Sequence, residues 1–212
     1  MLKMCLISPA TLGGVLLSVA LGVAHAAPTK WSVNDHWYDV VTTPDGINWD
    51  DAQAAAVASG GYLATLTTHA ENAFAFALAD AAPSAWLEVG GPFGEVSGPW
   101  LGGLQPGGSP EPFDNWTWTN GEGLFTTAGY NTNWISSSPN NFGGNENRNQ
   151  FYGLNLQRSA LWNDNSDTRL LNGYVVEWNA APVPEPEALA MSLLGLACLG
   201  LMARRHAGAS CQ

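Results

Sequence analysis

The chain has 212 residues, seven Lys and Arg against eighteen Asp and Glu, a formal net charge of −11 and ten Trp. Acidity of this degree argues against nucleic acid as a partner and leaves divalent cations and neutral or cationic ligands as compatible ones. The Trp content points first to core packing, and only weakly to sugar stacking.

At the start, Lys3 precedes an apolar run through Val23 and then Ala24-His25-Ala26. A basic start, an apolar core and a small-x-small exit read together as a secretory signal over 1–26. His36 to Val41 has strand character and is followed by a turn at Pro44-Asp45-Gly46. Trp49 to Ala58 is Ala-rich with Trp49, Ala52 and Ala56 on one side, which predicts a helix ending at Ser59-Gly60-Gly61. Tyr62 to Leu66 reads as a short strand. Thr68-His69-Ala70-Glu71 has capping-box spacing and opens a second helix, which Pro83 stops at about Ala82.

Beyond Pro83 the texture shifts to Gly, Pro, Asn and Trp. Short strands are expected around Trp100-Leu101-Gly102 and Trp116-Thr117-Trp118, with the last strands over Tyr152 to Leu156 and Gly173 to Trp178. Two early helices followed by small strands and long loops predict an α+β domain. The stretch SSPNNFGGNENRNQ, Ser137 to Gln150, has five Asn and only two charged side chains, Glu146 and Arg148. With so little apolar surface it needs a functional reason, or a bound ion, to hold one shape.

The chain closes with Val183-Pro184-Glu185-Pro186, an apolar run from Ala188 to Ala203, and Arg204-Arg205. The run is slightly short of the roughly 20 residues a membrane span requires, and the arginines fit the positive-inside rule. These residues resemble the PEP-CTERM sorting signal of Gram-negative bacteria. That resemblance implies transient inner-membrane anchoring, handling by an exosortase, and release to the outer surface or an exopolysaccharide, biofilm-type matrix. A permanent transmembrane anchor is the competing reading. The organisation expected is therefore a signal over 1–26, one domain over 27–182, a sorting or anchor segment over 183–206 and a tail over 207–212.

The central segment carries four basic and sixteen acidic residues, and Cys5, Cys198 and Cys211 all lie outside it. The domain is thus disulfide-free although exported to a compartment that permits disulfides, so packing alone or a metal must hold it.

Its motifs come in one order: Trp49-x-x-Ala52, Gly60-Gly61-Tyr62-Leu63-Ala64, Glu71-Asn72-Ala73-Phe74, Trp100-Leu101-Gly102-Gly103, Trp116 to Gly121, Tyr130 to Trp134, Ser138-Pro139-Asn140, Trp162-Asn163-Asp164 and Tyr174-Val175-Val176-Glu177. This ordered set resembles the C-type lectin-like domain family over nearly the whole central segment. The resemblance implies two helices, small antiparallel sheets and a long loop region. It also implies a calcium ion held by Asn140, Glu146, Asn163 and Asp164, with the peptide bond before Pro139 in the cis form. Sugar hydroxyls are expected to meet that ion among Ser138, Asn140, Glu146 and Asn163. Two carboxylates and two carboxamides suit the flexible oxygen shell of calcium, and a carboxamide can turn its oxygen to the ion while its nitrogen donates to a sugar.

This chain departs from the family pattern at Ser138, where sugar-binding members carry Glu or Gln, which implies weaker metal binding and leaves the preferred sugar open. Framework cysteines are also missing: Val57 or Ala58, Arg148 and Trp178 stand near their positions. Taken alone, Trp162-Asn163-Asp164 also reads as a simple turn. Trp49, Trp100, Trp116, Trp118 and Trp134 are expected in the core, Tyr130 and Phe142 at exposed contacts.

No catalytic pattern surrounds His36 or His69, and a pair such as Glu111 and Asp114 is what any acidic chain offers. The expectation is a non-enzymatic carbohydrate-binding protein with a glycan or exopolysaccharide partner. The alternative is a calcium-independent structural or protein-binding matrix domain.

Overall fold

The computed structural model describes residues 27–122 and 133–182. The signal and sorting segments, all three cysteines and Tyr130 lie outside the described residues. No helix among the described residues is long and apolar enough to cross a membrane.

In chain order the elements are β1 (Thr29–Lys30), β2 (Trp37–Ile47), α1 (Trp49–Ala58), β3 (Tyr62–Leu63), α2 (His69–Asp80), β4 (Leu87–Gly90), β5 (Glu95–Leu104), β6 (Thr117–Trp118), β7 (Glu146–Leu154), β8 (Gln157–Ser166) and β9 (Leu171–Trp178). Local chemistry explains both helices. Asn48 caps α1 by accepting from Asp51 N–H, and Thr68 caps α2 by accepting from Glu71 N–H at 3.1 Å. Glu71 does not close the reciprocal half of the box onto Thr68. Its Oε2 takes Thr67 N–H at 2.7 Å and the Thr67 hydroxyl at 2.9 Å, because its other oxygen is occupied by the Tyr38 hydroxyl at 2.7 Å.

The strands form one sheet, not several small ones, in the order β1-β2-β9-β5-β7-β8, with β3 on β9 and β4 and β6 on β5. All pairings are antiparallel except β5 with β9 at Trp100 and Tyr174. The expected turn at Pro44-Asp45-Gly46 lies within β2, where register slips between Thr42 and Ile47. Trp162-Asn163-Asp164 is not a turn but the middle of β8, paired with Phe151, Gln150 and Asn149 of β7.

Two apolar clusters fill the two faces of this sheet. One gathers Tyr38, Leu66, Ala75, Trp86, Leu101, Trp118, Phe151 and Trp162, and the other Trp49, Ala56, Leu63, Trp100, Leu171, Val176 and Trp178. Trp49, Trp100, Trp116 and Trp118 are buried, and Trp134 packs against the first cluster half-buried.

Two of the residues that stand near missing framework cysteines, Trp178 and Arg148, make contacts with the first helix. Trp178 donates its indole N–H to the carbonyl of Ser59 at 3.0 Å, fastening β9 to the end of α1. Arg148 lies over the Trp49 ring at 4.4 Å, fastening β7 to its start. Gly61 makes the first of these possible, since a Cβ there would lie 2.5 Å from the Glu177 carbonyl oxygen and 2.8 Å from the Trp178 ring. Gly61→Ala is therefore expected to destabilise the domain by about 2 kcal/mol through overpacking. The measurement is the urea midpoint, which should fall at unchanged slope.

Candidate functional site

Trp162 is the point from which the site is built. It is fully buried, and its indole N–H donates to Asn72 Oδ1 of α2 at 2.8 Å. Trp118 and Trp134 meet it edge to face, with ring centroids 5.6 and 5.9 Å away. Its backbone also takes in the segment before the Asn-rich loop: Ile135 N–H donates to Trp162 O at 2.9 Å, and Trp162 N–H to Asn133 O at 2.7 Å. With the 133–135 segment paired to the backbone of Trp162, Ser138-Pro139-Asn140 lies beside Asn163-Asp164.

Ser138, Asn140, Asn163 and Asp164 are joined there by hydrogen bonds, while Glu146 bonds within its own loop, to Phe142 and Asn141. Asp164 is fully buried, and its Oδ2 accepts the backbone N–H groups of Asn140 at 2.8 Å and Asn141 at 2.7 Å. Its Oδ1 is buried and takes no hydrogen bond of good geometry, because the nearby Ser138 hydroxyl, close enough to pull the carboxyl down, spends its proton on Asn163. Ser138 Oγ donates to Asn163 Oδ1 at 2.5 Å and accepts from Asn140 Nδ2 at 3.4 Å, so the serine bridges two carboxamides. Asn163 Nδ2 donates to the Asp164 carbonyl. Glu146 Oε2 accepts Phe142 N–H at 2.8 Å, while Glu146 N–H donates to Asn141 Oδ1 at 2.9 Å, closing the 141–146 turn on itself. Asn141 takes a left-handed backbone, φ 48°, and the Ser138–Pro139 bond is cis. A second cis bond, Glu111–Pro112, carried no sequence signal.

Electrostatics mark the cluster as short of positive charge. Burial raises the Asp164 carboxyl above its ordinary value, against the opposing pull of the Asn141 and Asn140 amides. Burial first, and the Asp164 charge second, push Glu146 up to about 7, with the Phe142 N–H opposing. An acid raised in the folded state, with an ordinary value of 4.5, keeps its proton on folding. That contribution to stability is complete below about pH 4.5 and is lost as pH rises to about 7. In the absence of divalent cations the urea midpoint should thus fall across this window. Glu146→Gln, which cannot ionise, should flatten the fall.

The donor set suits a hard cation. It offers two carboxylates and two carboxamides, with one buried carboxylate oxygen unpartnered and two like charges close enough to repel, and all of these are features that calcium would satisfy. Among the described residues there is no cluster of three or more His, Cys, Asp or Glu that could hold a metal ion. Any ion here must therefore depend on Asn oxygens, backbone carbonyls and solvent for most of its shell.

In front of the cluster lies a groove of about 650 Å³. Asn140, Glu146 and Asn163 line one end, and Asp164 does not line it. The remainder is lined by Phe142, which the sequence placed at an exposed contact, and by residues that sequence reasoning missed, chiefly Phe93, Glu95, Gln150, Tyr152 and Arg169. Alternation along β7 could have found part of this set, since Glu146, Gln150, Tyr152 and Leu154 share a parity while Phe151 faces the core. Phe142 is 80% exposed.

No family model matches the chain, and no curated protein does. Solved structures do. A Ca2+-dependent type II antifreeze protein in its Ca2+-free form is similar at a TM-score of 0.50 and 20% identity, over 71% of this chain and 96% of that one. Human lithostathine is similar at 0.50 and 17% identity, over 72% and 96%. C-type lectin CEL-I from Cucumaria echinata reaches 0.46 and 23% identity, over 68% and 89%. The domain therefore has the C-type lectin-like fold, built here without any cysteine among the described residues.

Proposed function

We propose that this protein is an exported carbohydrate-binding protein that uses calcium at the Ser138-Pro139-Asn140 and Asn163-Asp164 cluster to bind a glycan of an extracellular polysaccharide or biofilm matrix. The observation that carries the reading is the unpartnered, buried Oδ1 of Asp164 beside the raised carboxyl of Glu146, next to a groove lined by Asn140 and Asn163. Asn140, Glu146, Asn163 and Asp164 would hold the ion. When bound, calcium would supply a charge that polarises sugar hydroxyls and fixes their positions. The side chains do the rest. Asp164 orders the loop through the Asn140 and Asn141 amides, Ser138 sets the orientation of the two carboxamides, and Asn140 and Asn163 offer amide hydrogens to a ligand. Each sugar contact would be weak, with avidity arising from many copies along a polymer.

Export rests on the 1–26 segment, and surface release through an exosortase, after transient inner-membrane anchoring, rests on the Pro184-Glu185-Pro186 segment. The Ca2+-dependent antifreeze protein of the same fold illustrates that this scaffold also serves roles other than sugar binding.

A second reading, a calcium-independent structural or protein-binding matrix domain, is favoured by one observation. Asp164 Oδ2 already accepts two backbone amides and Glu146 accepts a third, so protein contacts alone can hold the loop. Titrating the protein with calcium while following its melting temperature separates the two. A ligand that binds only the folded state raises stability as its concentration passes the dissociation constant, so a rise at millimolar calcium is expected. An unchanged melt would leave the second reading.

A further inference from the structure

We propose that the groove beyond the calcium-site residues is a contiguous binding surface for an uncharged oligosaccharide of at least two rings, seated over Gln150 and Tyr152 and stacked on Phe93. This extends, and rests on, the glycan-binding reading above. Register makes the surface continuous: Gln150 pairs with Asn163 of β8, and Tyr152 pairs with Ser97 of β5. A ligand anchored at Asn163 thus has the next positions of the same sheet face directly alongside.

Gln150 is the residue that asks for a ligand. It is fully buried, it lines the groove, and neither its Nε2 nor its Oε1 has a hydrogen-bond partner. Buried carboxamides are ordinarily paired. This one lies just beneath the groove surface, and the proposed binding mode includes its rotation into the groove, where a donor and an acceptor side by side complement two neighbouring hydroxyls. Tyr152 adds a phenol beside the Glu95 carboxylate; burial first and Glu95 second push it up to about 12. Glu95 and Arg169 set the charge requirement. With Glu146 engaged at the calcium site, one carboxylate and one guanidinium balance along the groove, which gives an acidic ligand no net attraction and suits a neutral one.

Size and shape agree. A groove of about 650 Å³ lies within the range of built ligand sites and exceeds what one sugar ring fills. Phe93, 64% exposed at the groove wall, offers an apolar ring to the flat face of a sugar.

The test is a ladder of neutral gluco-, manno- and galacto-oligosaccharides, from one to four rings, measured by calorimetry in millimolar calcium. It uses the wild-type protein, Gln150→Leu and Phe93→Ala. The expected result is an affinity gain of about tenfold or more from one ring to four in the wild type. Both variants should lose most of that gain while binding the monosaccharide unchanged. Phe93→Ala alters an exposed side chain, so its result does not hang on core stability. Equal affinity for one ring and four, or a gain that survives both substitutions, overturns the groove assignment and leaves the calcium-site reading standing. Tighter binding of uronic-acid oligosaccharides, or of peptides, also overturns it. Failure to bind any neutral sugar of any length overturns that reading and the groove together.

Discussion

Asp164→Ala is expected to lower stability by about 3 kcal/mol and to abolish any response to calcium. The carboxylate is fully buried and accepts two backbone amides from the Asn-rich loop, Asn140 and Asn141. Truncation leaves both donors without an acceptor, at roughly 1–3 kcal/mol each, and the loss is partly offset by relief of repulsion with Glu146. A loss of this size is a large share of the 5–15 kcal/mol typical of a whole domain. Asp164→Asn separates the structural role from the electrostatic one. It retains an oxygen for the amides and removes the charge, so stability in chelator should fall by much less than in the alanine variant while the calcium response disappears as fully. Urea denaturation of the two variants, with and without calcium, measures both effects.

Trp162→Ala is expected to cost about 4 kcal/mol, in the range for deleting a large buried aromatic. Its ring is the common contact of Trp118 and Trp134, and its N–H satisfies Asn72 Oδ1, which truncation would leave without that donor. Functional loss should exceed the share explained by unfolding. The backbone of this residue pairs with Asn133 and Ile135, and that pairing delivers the Ser138 to Asn140 segment to Asp164. Glycan affinity measured well below the variant's melting temperature should therefore still be depressed. Trp162→Phe, which keeps the ring contacts and loses the N–H, should recover much of the stability.

What could be read from the chain divides along the range of the forces involved. Both helices were legible because their signals are local: the one-sided Trp49, Ala52 and Ala56 for the first, and the Thr68 cap, which satisfies an amide three residues on, for the second. The wider fold was legible only as an ordered set of motifs. Its exact strands were not, as β8 shows. Trp162-Asn163-Asp164 carries turn-forming side chains, yet the ladder to Phe151, Gln150 and Asn149 holds it extended, a tertiary pairing overriding local preference. A meeting of the Ser138 to Glu146 segment with Asn163-Asp164 was expected from the resemblance, and the bonds from Ser138 to Asn163 and from the Asn140 and Asn141 amides to Asp164 join the two segments. That Asp164 would serve the loop amides rather than line the groove was not legible, because it follows from which face of β8 each neighbour takes. Gln150 and Glu95 were missed because the groove unites β5 with β7, strands separated by some forty residues of chain. No local pattern reports such a pairing.

Saccharide binding that depends on an ion is the most direct consequence of the proposed function. Binding of a neutral oligosaccharide to the wild-type protein, measured in millimolar calcium and again after excess chelator, tests that dependence. Binding that is present with calcium, vanishes with chelator and returns on recalcification is the expected result. Identical binding in chelator, or none in either condition, would contradict it.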